Sequence, residues 1–137
     1  MEYSILLAED DVDGREVLQK LLQRFGYRVR GAGSVQDALA LLKQETFHLL
    51  IADIGLPDRS GIELMSEARA LCPSLVGIAL TGFDERSYAD ACREAGFREF
   101  LLKPIAFEKL KAMIAKFAGD KYLVREPAAH PSPANPA

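Results

Sequence analysis

Five short apolar runs, each followed by a segment of helical period, dictate most of what this chain can fold into. The runs are Tyr3–Ala8, Arg28–Ala32, His48–Asp53, Leu75–Thr81 and Arg98–Lys103. HLLIAD at 48–53 and FLLK at 100–103 are continuous rather than alternating, which suits central parallel strands covered on both faces. Between the runs lie three sets: Leu18, Leu21, Leu22, Phe25; then Val35, Ala38, Leu39, Leu42; then Tyr88, Ala91, Cys92, Ala95. Each follows i, i+3, i+4, i+7, one face of a helix. Phe107, Leu110, Ile114 and Phe117 mark a fifth helix, and Ile62–Leu71 a less regular third. Gly26 and Gly96 stand where left-handed C-caps are wanted, Ser34 and Asp84 where N-caps belong. Strand–helix alternation repeated five times predicts a doubly wound α/β domain, (βα)5, with a parallel sheet, helices on both faces and right-handed crossovers.

The pattern ends near Ala118, so residues 1–118 are read as one domain, a normal size for a single core. Residues 119–137 change character. From Pro127 onward, eleven residues hold four prolines and four alanines, the composition of a disordered tail or linker. A net charge of −3 provides no basic face for nucleic acid. No apolar run reaches the length of a membrane span, and the Met-Glu-Tyr-Ser start is unlike a signal peptide, so a cytoplasmic location is expected. Cys72 and Cys92 have no metal-ligand spacing and are expected to be reduced.

In an open parallel sheet, ligands bind beyond the carboxyl ends of the strands. The first run ends in Glu9-Asp10-Asp11, the third in Asp53, the fourth in Thr81-Gly82 and the fifth in Lys103-Pro104. The second ends in Gly31-Ala32-Gly33-Ser34, which carries nothing ionisable. Carboxylates gathered at one edge need a counter-charge. A hard divalent cation such as Mg2+ supplies one and leaves coordination sites for phosphate oxygens. A phosphoryl group at Asp53 would meet the metal, the Lys103 ammonium and the Thr81 hydroxyl. That is the apparatus of phosphoryl transfer, where a carboxylate is a competent nucleophile.

ILLAEDD, LLIADIGLPDRSGIEL, GIALTG and FLLKPI, in this order, resemble the receiver domain of two-component response regulators over residues 3 to about 118. The resemblance implies a flavodoxin-like fold, similar to a chemotaxis regulator, with strand order 2-1-3-4-5. It implies that Asp53 is the phosphoacceptor, charged from a phosphohistidine on a histidine kinase or phosphotransfer domain. Glu9, Asp10, Asp53 and the carbonyl of Gly55 would hold Mg2+. Thr81 and Gly82 would meet the phosphoryl oxygens, Lys103 would clamp them, and Phe100 would turn inward as a switch aromatic. The Lys103–Pro104 bond is expected to be cis, which proline makes accessible. A downstream protein would read the face made by the fourth helix, fifth strand and fifth helix, around Tyr88, Phe100 and Lys109. Such a domain is a signalling phosphoacceptor rather than a multiple-turnover enzyme. It is either a stand-alone regulator or part of a larger protein such as a hybrid histidine kinase, the motif style leaning towards the second. Gly55 and Phe83 depart from the family's common choices beside the path of an attacking water.

Rival readings are weaker. A haloacid-dehalogenase-like phosphatase needs an acid two residues after its nucleophile, and here that residue is Gly55. A phosphorylation-independent scaffold would lack one of the acids, the threonine or the lysine, and all are present. Read as a calcium loop from Glu9, EDDVDG puts Lys20 where a bidentate Glu is required, and a strand precedes it. Asp11 or Asp13, with Asp11 preferred, is better used to cap the first helix. GAGS at 31–34 lacks the third glycine of a dinucleotide turn and follows the wrong strand, and no GxxxxGK[ST] loop is present.

Overall fold

The computed structural model describes residues 2–82 and 88–119. Strands β1 (Ser4–Ala8), β2 (Arg28–Ala32), β3 (Leu49–Asp53), β4 (Val76–Thr81) and β5 (Phe97–Leu102) alternate with helices α1 (Val12–Arg24), α2 (Val35–Gln44), α3 (Gly61–Leu71), α4 (Ala89–Ala95) and α5 (Phe107–Ala118). The strands form one parallel sheet in the order β2-β1-β3-β4-β5, as expected. Every residue of β1 and β3 is buried, which is why these segments read as unbroken apolar runs.

Successive side chains of a strand point to opposite faces, so each central strand feeds two cores. Leu6, Ala8, Leu50, Ala52, Ala79 and Phe97 pack with Val35, Ala38, Leu42, Leu64, Met65, Ala68, Cys92 and Ala95 beneath α2, α3 and α4. Ile5, Leu7, Leu49, Ile51, Ile78, Leu80 and Leu101 pack with Leu22, Leu110, Ile114 and Ala118 beneath α1 and α5. Neither cysteine is in a disulfide; Cys92 is buried and Cys72 half-buried.

The caps follow the chemistry of the sequence. Asp11, not Asp13, caps α1, its carboxylate accepting from the Gly14 N–H at 3.0 Å. Ser34 caps α2 by accepting from Asp37 N–H at 3.1 Å. Gly26 and Gly96 follow their helices at φ of 92° and 123°, where other residues are strained. The Lys103–Pro104 peptide is cis.

One expectation fails. The spacing predicts Tyr88 and Ala91 on one helix face with Cys92 and Ala95, but Tyr88 precedes α4 and both are exposed. The helix has only seven residues, so two inward positions, Cys92 and Ala95, complete its buried face. The expected cap at Asp84, the position of Phe83 and the tail at 120–137 lie outside the described residues. Among those described, no helix is long and apolar enough to cross a membrane.

α3 sits close to β4 because Gly77 presents no side chain. A Cβ there would fall 2.5 Å from Met65 Sδ and 2.7 Å from Phe97 Cδ1. Alanine at this position would gain about 0.4–1 kcal/mol by restricting the unfolded chain. Overpacking costs about 1–3 kcal/mol, so the net effect should be destabilising. Gly77→Ala is expected to lower the urea midpoint; a raised midpoint would mean that α3 shifts outward without strain.

Candidate functional site

The carboxyl ends of β1, β3, β4 and β5 bring Glu9, Asp10, Asp53, Thr81 and Lys103 to one edge of the sheet. Glu9 and Asp53 are nearly withdrawn from solvent, 3% and 9% exposed, whereas Asp10 is open to it. Two buried carboxylates on adjacent strands repel unless a cation stands between them. Lys103 is that cation, its Nζ donating to Glu9 Oε1 at 2.7 Å and to Asp53 Oδ2 at 2.6 Å. Burial alone would lower the ammonium's pKa. The hydrogen bonds and charges of Asp53 and Glu9 outweigh burial and hold Lys103 above the ordinary lysine value.

Each remaining carboxylate oxygen has a backbone donor. Asp53 Oδ1 accepts from Gly55 N–H at 2.9 Å, and Glu9 Oε2 from Asp11 N–H at 3.1 Å. Both acids are thereby fixed in orientation as well as paired with the shared ammonium. Beyond β5 the chain is tied to its neighbour: Lys103 N–H donates to the Thr81 carbonyl at 2.7 Å. Thr81 is buried at the end of β4, and Gly82 beyond it is exposed, with nothing within 4 Å of where a Cβ would stand.

Glu9, Asp10 and Asp53 each offer an oxygen, and these atoms lie within 4.8 Å of one another. An all-oxygen set of this kind, part buried and part open, fits a hard divalent cation that keeps some of its water. Gly55 is exposed beside it, and a Cβ there would come no nearer than 3.9 Å to Asp53 Oδ1, so no side chain crowds the aspartate from that position.

The expected residues therefore converge, with one set apart. Phe100 is half-buried against the core beneath α2, α3 and α4, and the Arg93 guanidinium lies 5.6 Å from its ring centroid. It belongs to the β5 surface rather than to the carboxylate cluster.

Asp58 was not anticipated. Its carboxylate accepts from Val35 N–H at 2.9 Å and Gln36 N–H at 3.0 Å, the first free amides of α2. These bonds hold its carboxyl below the usual carboxylate range. They pin the loop that follows Asp53 to α2, the helix that precedes β3. An acid in a strand–helix loop hints at capping, but its target lies 22 and 23 residues away, beyond any local motif. The same loop must also pass close to α3, since a Cβ on Gly61 would fall 2.2 Å from the Asp53 carbonyl oxygen.

A family model described as response regulator receiver domain matches residues 5–115. The chain belongs to this family. Among curated relatives, the transcriptional regulatory protein ZraR of Salmonella typhimurium is 34% identical over 112 residues, 82% of this chain and 25% of the relative. The chain thus spans about a quarter of that relative's length. Among solved structures, a CheY-like receiver domain from Methanospirillum hungatei superposes with a TM-score of 0.80 at 28% identity, covering 86% of this chain and 95% of that one. The response regulator TrrA of Thermotoga maritima, solved in complex with Mg2+ and BeF, gives a TM-score of 0.74 at 30% identity, covering 84% and 98%. The fold and two-component membership expected from the motifs are thus met.

Removing the ammonium should expose what it balances. Lys103→Met would leave Glu9 and Asp53 buried without their cation. Because the lysine side chain is 31% exposed, the loss should fall below that of a fully buried pair, at about 1–3 kcal/mol. Urea unfolding in EDTA measures it, and adding Glu9→Gln to Lys103→Met should recover part of the loss. A Lys103→Met midpoint equal to wild type would show that the carboxylates do not depend on the ammonium.

Proposed function

We propose that this receiver domain accepts a phosphoryl group on Asp53 and relays its arrival to a protein-binding surface. The observation that carries the reading is the double contact of Lys103 with Glu9 and Asp53, 2.7 and 2.6 Å. It holds a buried nucleophile in place beside a cation already positioned for incoming negative charge. The donor is a phosphohistidine on a histidine kinase or phosphotransfer domain. An Asp53 oxygen bonds to phosphorus as the bond from phosphorus to the imidazole nitrogen breaks, and the electron pair of that bond leaves with the imidazole.

Glu9, Asp10, Asp53 and the Gly55 carbonyl would hold Mg2+, which supplies charge neutralisation for the phosphoryl oxygens. The chain's own groups do the rest. Lys103 turns from the carboxylate to a phosphoryl oxygen, and Thr81 donates its hydroxyl to another, with Gly82 leaving room. Gly55 N–H keeps the unreacted Asp53 oxygen in place.

The switch follows from charge. The modified residue gains negative charge and acceptor oxygens at a fixed point, so Thr81 and Lys103 are drawn towards it. Both are joined through the Lys103 N–H to Thr81 carbonyl bond, so the end of β4 and the β5–α5 turn respond together. Phe100, half-buried on β5, moves inward, and the surface of α4, β5 and α5 around Tyr88 and Lys109 carries the change to a partner. The domain ends near Ala118, works in the cytoplasm and makes no direct contact with nucleic acid or membrane. TrrA's structure with Mg2+ and BeF supports the metal and the phosphoryl site by similarity.

Incubation with acetyl phosphate and Mg2+ should add the mass of one phosphoryl group to the intact protein. EDTA and Asp53→Asn should each abolish the gain. No labelling of the folded wild-type protein would favour a phosphorylation-independent scaffold instead. Beryllofluoride with Mg2+ should shift the amide NMR signals of Tyr88, Phe100 and Lys109; if they stay fixed, this surface does not carry the signal.

A further inference from the structure

Gly31 and Gly33 of the GAGS stretch have no conformational need to be glycine, since the described glycines at positive φ are Gly26, Gly96 and Gly119. What they share is a neighbour. A Cβ on Gly31 would lie 2.9 Å from Gln19 Oε1 and 3.1 Å from Arg15 Cδ, and one on Gly33 would lie 3.0 Å from Arg15 Nη1. Two missing side chains at the end of β2 therefore form a slot in which the Arg15 side chain lies as it leaves the first turns of α1.

The slot aims the guanidinium at the acidic pair. Arg15 Nη1 donates to the Glu9 carbonyl at 2.7 Å, a charge-assisted bond from a half-buried side chain. That carbonyl belongs to the peptide joining Glu9 to Asp10, so the bond fixes the plane from which both acids project. The preceding peptide is fixed as well, Glu9 N–H donating to the Ala32 carbonyl at 2.9 Å, between the two glycines. Glu9 has side-chain anchors of its own in Lys103 and the Asp11 N–H. Asp10 is exposed, and no hydrogen bond or ion pair holds its side chain among the described residues, so its aim depends on the backbone that carries it.

We infer that Arg15 is a positioning residue for the cation-binding pair Glu9–Asp10, and that Gly31 and Gly33 are small in order to admit it. The inference rests on the phosphoacceptor reading, in which that pair holds Mg2+. Groups that orient metal ligands without touching the metal typically change affinity by about 10–100-fold when removed. Because Arg15 acts through the backbone, the lower end of that range is expected.

The test measures Mg2+ affinity of the unphosphorylated full chain by isothermal titration calorimetry, with urea unfolding in EDTA as the control on folding. Arg15→Ala should bind Mg2+ about 10-fold more weakly while still unfolding cooperatively. Arg15→Lys, which retains a cationic donor, should recover part of the affinity. Gly33→Val should weaken binding in the wild-type chain and have no further effect when Arg15 is already alanine, since the two changes disable one device. Wild-type affinity in Arg15→Ala, or an equal effect of Gly33→Val in both backgrounds, overturns the inference. Should Arg15→Ala fail to fold, Arg15→Lys and Gly33→Val decide: weakened binding in both supports the inference, and unchanged binding in either overturns it. Asp10→Asn separates the two levels. If the wild-type chain binds no Mg2+ that Asp10→Asn loses, the phosphoacceptor reading falls and takes the inference with it; if that binding is present and Arg15→Ala leaves it intact, only the inference falls.

Discussion

A single ammonium between two buried carboxylates sets the terms for the rest of the molecule. Glu9 follows β1 and Asp53 ends β3, and these strands are neighbours, so their acids are forced together by the sheet itself. Lys103 comes from the far end of the sheet, beyond β5, with β4 between it and Asp53. Its side chain can reach back only if the end of β4 stays low, and the residue there is a threonine. Acids on central strands, a small hydroxyl on the next and a long cation on the edge therefore form one geometric solution.

The frame that holds this arrangement is rigid where it has to be. β1 and β3 have no exposed residue, and two separate cores grip them from opposite faces. Close packing of this kind resists small displacements. The loops above the sheet have no such support and are tied by individual polar contacts instead. Asp58 fastens the β3–α3 loop to α2, Glu9 accepts from the start of α1, and Arg15 ties α1 to the end of β1. The site thus combines acids on an immovable base with connections that separate hydrogen bonds hold, and that separate substitutions can loosen.

How much of this could be read from the chain depended on the range of the interaction concerned. The five strands, the caps at Asp11 and Ser34 and the left-handed glycines at 26 and 96 depend on neighbours within a few residues, and each is found where the sequence puts it. Glu9, Asp10, Asp53, Thr81 and Lys103 were legible because parallel topology converts "end of strand" into "same edge". α4 misled because a four-residue apolar match fits one face of a helix without revealing how short that helix is. Asp58 and Arg15 were illegible for a different reason. Their partners are main-chain groups, which have no sequence signature, and the Asp58 targets sit on another helix. The GAGS stretch lacks the spacing of a dinucleotide turn, and its small residues face the Arg15 side chain on α1, a neighbour that no local motif reveals.

The contact between Lys103 and Glu9 spans 94 positions, and that with Asp53 spans 50. The acids belong to the first half of the chain and their counter-ion to the β5–α5 turn. During synthesis the half-made sheet would hold its carboxylates without the cation that makes their proximity tolerable. The ion-paired cluster is therefore complete only once the fifth strand docks. Conversely, a fluctuation that frees this edge strand would dismantle the site while most of the sheet remained intact. The integrity of the acidic cluster is thus vested in the edge strand that leads to its counter-ion.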